Sequence, residues 1–367
     1  MKHATVQRCS WAACGRCYLQ AVLHQKSLRR IIAKSVISYD KDLPEIPGRR
    51  PWERPASFLV KDPSAETGWR VDESGRRPSK LLLTRKLRAA VDRWREDGYP
   101  GASEVTQRLF AYWFDEDHEI ADFPVPFRYH FCQREAIETL VYLVEGAHIC
   151  DTKTLIDAYA EVFRRDLLSL SLVYQTTMDG RRQLRRYVPE LEAEGVQDLP
   201  PENLRRYAFK MATGSGKTWV MAMAVVWSHF HKRRVAGSEL STNFLIVAPN
   251  IIVYQRLEKD FASNRIFHAL PLIPPEWRST WNQKVILRGE STEPDPSGNL
   301  FLTNIHQLYE SRAPDWTPQN AIEALLGRKP VKDLAASQRS MLDRLKELQD
   351  LVVLNDEAHH VHDEELI

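Results

Sequence analysis

Apolar positions recur at helical spacing in the first half of the chain and bunch into short continuous runs in the second. Leu83, Leu87, Val91 and Trp94 share one helix face with Arg and Lys between them, and Gly98 and Pro100 close the segment. A second helix is predicted from about Val105 to Phe114. Phe123-Pro124-Val125-Pro126-Phe127 then breaks the chain, and Cys132, Ala136, Leu140 and Val144 mark an amphipathic helix beginning near Gln133. Residues 150–205 read as helical and strongly charged, with Arg181, Arg182, Arg185 and Arg186 clustered; such a block is either a solvated helix face or a nucleic-acid surface. From Tyr207 the pattern changes. Apolar runs at 207–211, 244–247, 285–287, 300–302 and 351–354 suit parallel strands buried on both faces. Leu334, Met341, Leu345 and Leu348 predict one long helix before the last of them. No internal repeat emerges.

These elements divide the chain into an irregular, proline-rich arm over 1–80, a mostly helical accessory region over 81–126, and an α/β domain with a parallel sheet over 127–367, with a helical insertion at about 150–205. With 43% apolar residues against 27% charged, the chain can build cores, which excludes wholesale disorder and fibrous repeats. No apolar run approaches the ~20 residues of a membrane helix, and Met1 to Arg8 lead into no apolar signal core, so a soluble, cytoplasmic protein without membrane contact is expected. Five cysteines, an odd number, fit a reducing compartment better than a secreted disulfide framework. Cys9, Cys14 and Cys17, with His24, have roughly the spacing of a zinc knuckle; without a second CxxC pair, free thiols on a short helix or loop are the favoured reading of the same residues. The formal net charge of +2 means that any nucleic-acid surface must come from local clustering.

The strongest chemical signal is Ala212-Thr213-Gly214-Ser215-Gly216-Lys217-Thr218, placed between the predicted strand ending at Met211 and the helical run Trp219 to His229. A loop that wraps a triphosphate must turn several backbone N–H groups inward, which favours glycines, and a helix N-terminus attracts negative charge. Lys217 then supplies a point charge to the β and γ phosphates. Thr218 offers a hydroxyl to Mg²⁺, an ion that keeps most of its water and takes few protein ligands.

At the end of the run 351–354 stand Asn355-Asp356-Glu357-Ala358-His359-His360, 139 residues after Lys217. This delivers two adjacent carboxylates to the C-terminal edge of a parallel sheet, where ligands bind. Asp356 is placed to hold the Mg²⁺ shell and Glu357 to orient and deprotonate the attacking water.

With both motifs on view, the chain resembles the first RecA-like P-loop domain of a superfamily 2 helicase or translocase with a DEAH box, which Asp356-Glu357-Ala358-His359 spells. Met211 to Thr218 is similar to motif I of the branch containing the motor subunits of type I and type III restriction enzymes, including the type III Res subunit. Gln133, 84 residues before Lys217 and preceded by Phe127, Tyr129 and Phe131, resembles the glutamine that reads adenine while an aromatic ring stacks on the base. The gap is longer than the family's usual one, which implies an insertion over 150–205. Ala248-Pro249-Asn250 and Thr303-Asn304-Ile305-His306-Gln307 resemble two segments that touch the nucleic-acid backbone, at Pro249, Asn250, Thr303 and Asn304.

The resemblance covers approximately residues 127–367. It implies ATP and Mg²⁺ as cofactors, with Thr213, Gly214, Ser215, Gly216, Lys217 and Thr218 on the phosphates and Gln133 on the base. Lys217, Asp356 and Glu357 carry hydrolysis, and His359 couples it to movement on DNA, duplex DNA rather than RNA, in a restriction-modification system. A methyltransferase or specificity subunit is the implied protein partner. The chain stops at Ile367, eight residues after His359. In the family a second RecA-like domain with an arginine finger follows, so the resemblance implies hydrolysis slowed by ~10³ or more for these residues alone. The alternative is a catalytically incompetent fragment that at most binds nucleotide or DNA.

Overall fold

A computed structural model describes residues 46, 48–120, 126–149, 151–159, 174–176, 178, 182–184, 197–198, 205–305 and 341–356. Cys9, Cys14, Cys17 and His24 lie outside these residues, as do Arg181, Arg185, Arg186, Leu334, Glu357 and His359. In chain order the elements are β1 (Phe58–Lys61), β2 (Trp69–Asp72), α1 (Leu82–Glu96), α2 (Glu104–Phe110), α3 (Phe131–Val141), α4 (Thr152–Tyr159), β3 (Tyr174–Thr176), β4 (Arg182–Leu184), β5 (Gln197–Asp198), α5 (Lys217–Arg234), β6 (Asn243–Ala248), α6 (Ile251–Phe261), α7 (Arg265–Ala269), β7 (Lys284–Leu287), β8 (Asn299–Asn304), α8 (Met341–Lys346) and β9 (Val352–Asn355). The chain forms two compact units, one of residues 1–102 and 128–220, the other of 103–127 and 221–367.

The first unit corrects several expectations. Within the supposedly irregular arm, β1 and β2 pair antiparallel, Leu59 opposite Val71. Asp62 holds the turn by accepting from the Ser64 backbone N–H at 3.0 Å, and Gly68 supplies a φ of +72° that other residues rarely adopt. Helix α1 follows its pattern, with Leu83, Leu87, Val91 and Trp94 buried. Helix α3 does not, because Cys132 and Leu140 are only half-buried while Glu135 and Glu138 are buried. Two acids on a core-facing side look polar to a periodicity argument, yet Arg76 pairs with Glu135, and Arg95 and Arg134 pair with Glu138. Inside 150–205 only Thr152–Tyr159 is helix among the described residues; β3, β4 and β5 form an antiparallel three-stranded sheet with Thr176 opposite Arg182. The Asp179-Gly180 pair in the connecting segment is a hairpin signal that the charge pattern obscured.

Residues 207–211 also depart from prediction. Among the described residues this segment pairs with no strand. Tyr207, Phe209 and Met211 are half-buried and Ala208 and Lys210 exposed, an alternation that buries one face only, so the run lacks the two covered faces of a central strand.

The second unit holds the parallel sheet, in the order β7-β8-β6-β9. The central strands are the most apolar: β8 is buried throughout and β6 from Phe244 to Ala248, in register Phe244 to Leu300 and Ile246 to Leu302. Strand β9 pairs with β6 alone among the described residues and leaves Val353 49% exposed, so this run is not covered on both faces as its composition suggests. At the N-terminal ends of the strands a polar clamp sets register. Asp350 accepts from Ser241 Oγ at 2.8 Å and Asn243 Nδ2 at 3.2 Å and pairs with Lys232, while Asn299 Nδ2 donates to Asn243 Oδ1 at 2.9 Å. Helix α5 begins two residues before the expected Trp219, and from Ala222 onward it buries Met223, Val226 and Phe230.

His229, on the same helix, is buried with Nδ1 3.0 Å from Gln283 Oε1. Burial, reinforced by the nearby Arg233 charge, lowers its pKa from about 6.5 to about 4 although the Gln283 hydrogen bond opposes the shift. A depressed folded pKa means that the unfolded chain takes up this proton first. The stability is therefore full above about pH 6.5 and lost progressively down to about pH 4, a change of about 3 kcal/mol. Urea unfolding at pH 7 and pH 4.5 should show this loss, and a His229→Gln chain should lack that part of it.

Candidate functional site

The glycine loop sits in the first unit at the start of α5. Gly214 and Gly216 adopt φ of +78° and +82°, the left-handed region in which an L side chain is strained. Between them the Ser215 N–H donates to Ala212 O at 3.2 Å and the Ser215 hydroxyl to the same oxygen at 2.6 Å, closing a tight turn. Gly216 O then accepts from Trp219 N at 2.9 Å, the first bond of the helix. Lys217 and Thr218 are thus the opening residues of an 18-residue helix, both half-buried. A helix of this length concentrates positive potential at its start.

The Gln133 side chain holds this loop. Its Nε2 donates to Ser215 O at 3.0 Å and its Oε1 accepts from His130 N at 2.9 Å, so one amide closes the first turn of α3 and fastens the phosphate loop together. The residue is 2% exposed. Its neighbour Cys132 approaches the same carbonyl, Sγ to Ser215 O at 3.9 Å. The fit is close, since a Cβ at position 216 would stand 2.2 Å from Gln133 Nε2. The flanking aromatics are core residues. Tyr129 meets Trp219 edge-on at 6.2 Å, and Phe131 carries the guanidinium groups of Arg76 and Arg95 at 5.8 Å and 5.2 Å. In this arrangement the glutamine is engaged by the protein at both ends of its amide.

Asp356 closes β9 in the second unit. Its N–H donates to Val247 O at 3.2 Å, and its carboxylate is buried, with Oδ2 accepting from Arg256 Nη2 at 2.6 Å. Arg256 comes from α6, 100 positions earlier, and no pattern in the sequence set it apart from other exposed arginines. A carboxylate is a hard oxygen donor of the kind taken by Mg²⁺, an ion that keeps most of its water, and the buried Asp356 carboxylate already faces a cation in Arg256. Among the described residues no group of three or more His, Cys, Asp or Glu is gathered to hold an ion as a closed cage.

The other predicted residues divide. Asn250 is exposed at the start of α6, where its Oδ1 accepts from Val253 N at 3.0 Å as a helix cap; beyond it Ile251 and Ile252 are exposed. Thr303 and Asn304 close β8 but are buried, at 1% and 4% exposure, so their side chains face protein here.

A phosphate loop of this geometry and a parallel sheet ending in a buried acid define a P-loop α/β protein of the RecA-like kind. The chain belongs to the family of the type III restriction enzyme, res subunit, whose sequence pattern matches residues 130–366. Membership makes this an ATP-binding, helicase-like domain. No curated protein and no solved structure matches the chain. No described helix is long and apolar enough to cross a membrane.

Proposed function

We propose that the chain binds ATP with Mg²⁺ and hydrolyses it to drive movement on DNA within a type III restriction system, alongside a methyltransferase subunit. The observation that carries this is the loop, with two left-handed glycines opening an 18-residue helix whose first residues are Lys217 and Thr218. Backbone N–H groups of the loop and the Lys217 ammonium neutralise the β and γ phosphates, which costs no reorganisation when the arrangement is already built. Mg²⁺, when bound, neutralises further phosphate charge, and Thr218 and Asp356 are the residues that hold it. Glu357 takes the proton from the attacking water while Pγ–O bond cleavage leaves ADP and phosphate. Gln133 serves the loop, and reading an adenine edge with the same amide requires its bonds to Ser215 and His130 to be exchanged. In the DNA-contact set Asn250 is exposed and Pro249 half-buried; contact through Thr303 or Asn304 requires their exposure to rise, and coupling is assigned to His359.

Photo-crosslinking to ATP tests the reading, with Lys217→Ala as control. Labelling is expected to fall at least tenfold in the variant, and equal labelling of the two chains would sink the ATP site. DNA-stimulated phosphate release then tests the motor, and an ATPase rate indifferent to added duplex would remove DNA movement from the proposal.

A further inference from the structure

We infer that Arg256 is a built-in counter-cation for Asp356, a positioning residue that occupies the carboxylate until a divalent ion takes its place. The inference rests on the reading of Asp356 as the metal-holding acid. Its grounds lie in the second unit alone. The Asp356 side chain is 2% exposed, and a buried carboxylate that stays ionised needs a partner. Arg256 Nη2 supplies one at 2.6 Å on Oδ2, a short charge-assisted bond. The arginine itself is 53% exposed, so its guanidinium can leave for water at little cost, whereas the aspartate cannot. The pair is therefore asymmetric, with a fixed buried acid and a releasable cation.

The anchoring of both partners supports an exchange rather than a permanent bridge. Asp356 is held through its backbone by Val247 O, and Arg256 stands in the second turn of α6, which Asn250 caps. Asp260, one turn further along α6, lies within electrostatic range of Arg256 and gives the released guanidinium a second carboxylate to face. A divalent ion at Asp356 and a guanidinium on the same carboxylate repel each other, so metal binding carries the work of displacing Arg256. Its loss should tighten metal binding, the opposite of what loss of a merely structural contact would do.

The test uses Mn²⁺ titrated into the full chain with a saturating non-hydrolysable ATP analogue, bound metal being read by electron paramagnetic resonance. Arg256→Gln is expected to lower the Mn²⁺ dissociation constant about tenfold, while Arg256→Lys, which keeps the charge, stays close to wild type. Unchanged or weaker binding by Arg256→Gln overturns the inference. Wild-type binding that Asp356→Asn does not reduce, or no wild-type binding, overturns the metal-site reading and this inference with it; reduction by Asp356→Asn with no gain in Arg256→Gln overturns the inference alone. Should Arg256→Gln fail to fold, the ¹⁵N resonance of the Arg256 side chain in the wild-type chain decides. Addition of Mg²⁺ should move it to the position of a solvated arginine, and a resonance that stays put sinks the exchange.

Discussion

A Gly216→Ala chain is expected to bind ATP on the order of a hundredfold more weakly than the wild type. Two costs add. Alanine at a φ of +82° carries roughly 1–2 kcal/mol of backbone strain. The new methyl would also stand 2.2 Å from Gln133 Nε2, so the amide must leave Ser215 O, forfeiting a hydrogen bond of about 1 kcal/mol. Together these come to about 2–3 kcal/mol against the loop conformation that receives the phosphates, which is on the order of the hundredfold. Isothermal titration measures it, and Gln133→Ala separates the two costs. In a Gln133→Ala background the hydrogen bond is already lost and only the strain remains, so Gly216→Ala should weaken ATP binding less there than it does in the wild type. If it weakens binding equally in both backgrounds, the clip between Gln133 and the loop does not govern affinity.

Replacement of Glu138 by alanine should remove about 3–5 kcal/mol from the stability of the first unit, the usual result of leaving buried cations without their partner. The carboxylate is fully buried. Arg95 donates to it through Nε and Nη2, Arg134 Nε reaches Oε1 at 2.8 Å, and the Tyr99 hydroxyl donates at 2.7 Å. Burial alone works against the charge on Arg95, but the hydrogen bonds and charge of Glu138, followed by those of Asp92, prevail and raise its pKa. Trp94 lies 4.9 Å from Tyr99 and reports unfolding by its fluorescence. Glu138→Gln, which keeps the shape and some of the hydrogen bonds, should cost less than Glu138→Ala. A loss under about 1 kcal/mol in the alanine chain would mean that water replaces the carboxylate freely, against its burial.

The same two sites mark where the sequence was readable and where it was not. The turn at Gly214 to Gly216 and the helix start after it were legible because their signal is local, with glycines in alternate places before an apolar helical run. Strands β6 and β8 were legible because central parallel strands are apolar on both faces, and β7 and β9 followed from similar runs. The segment 207–211 looked equally apolar, but Lys210 and Ala208 face solvent, and a run of five residues does not distinguish one covered face from two. Helix α3 was placed correctly in the chain and misjudged in orientation, because the arginines that neutralise Glu138 lie on α1, 43 positions away, as well as one turn earlier on α3. Distance in sequence hid the site contacts too. Gln133 meets Ser215 across 82 positions and Arg256 meets Asp356 across 100, and neither pair leaves a spacing that a motif can record.

The Gln133 amide has a thermodynamic consequence. Because its Oε1 caps α3 while its Nε2 holds Ser215 O, the helix start and the phosphate loop are not independent segments. A ligand that prefers the clipped loop must reinforce the first turn of α3 by the free energy that this turn lends to the ligand's binding, since coupling is reciprocal. If the loop receives the nucleotide as proposed, the helix start before it is an energetic part of that site, although its backbone need never touch the ligand.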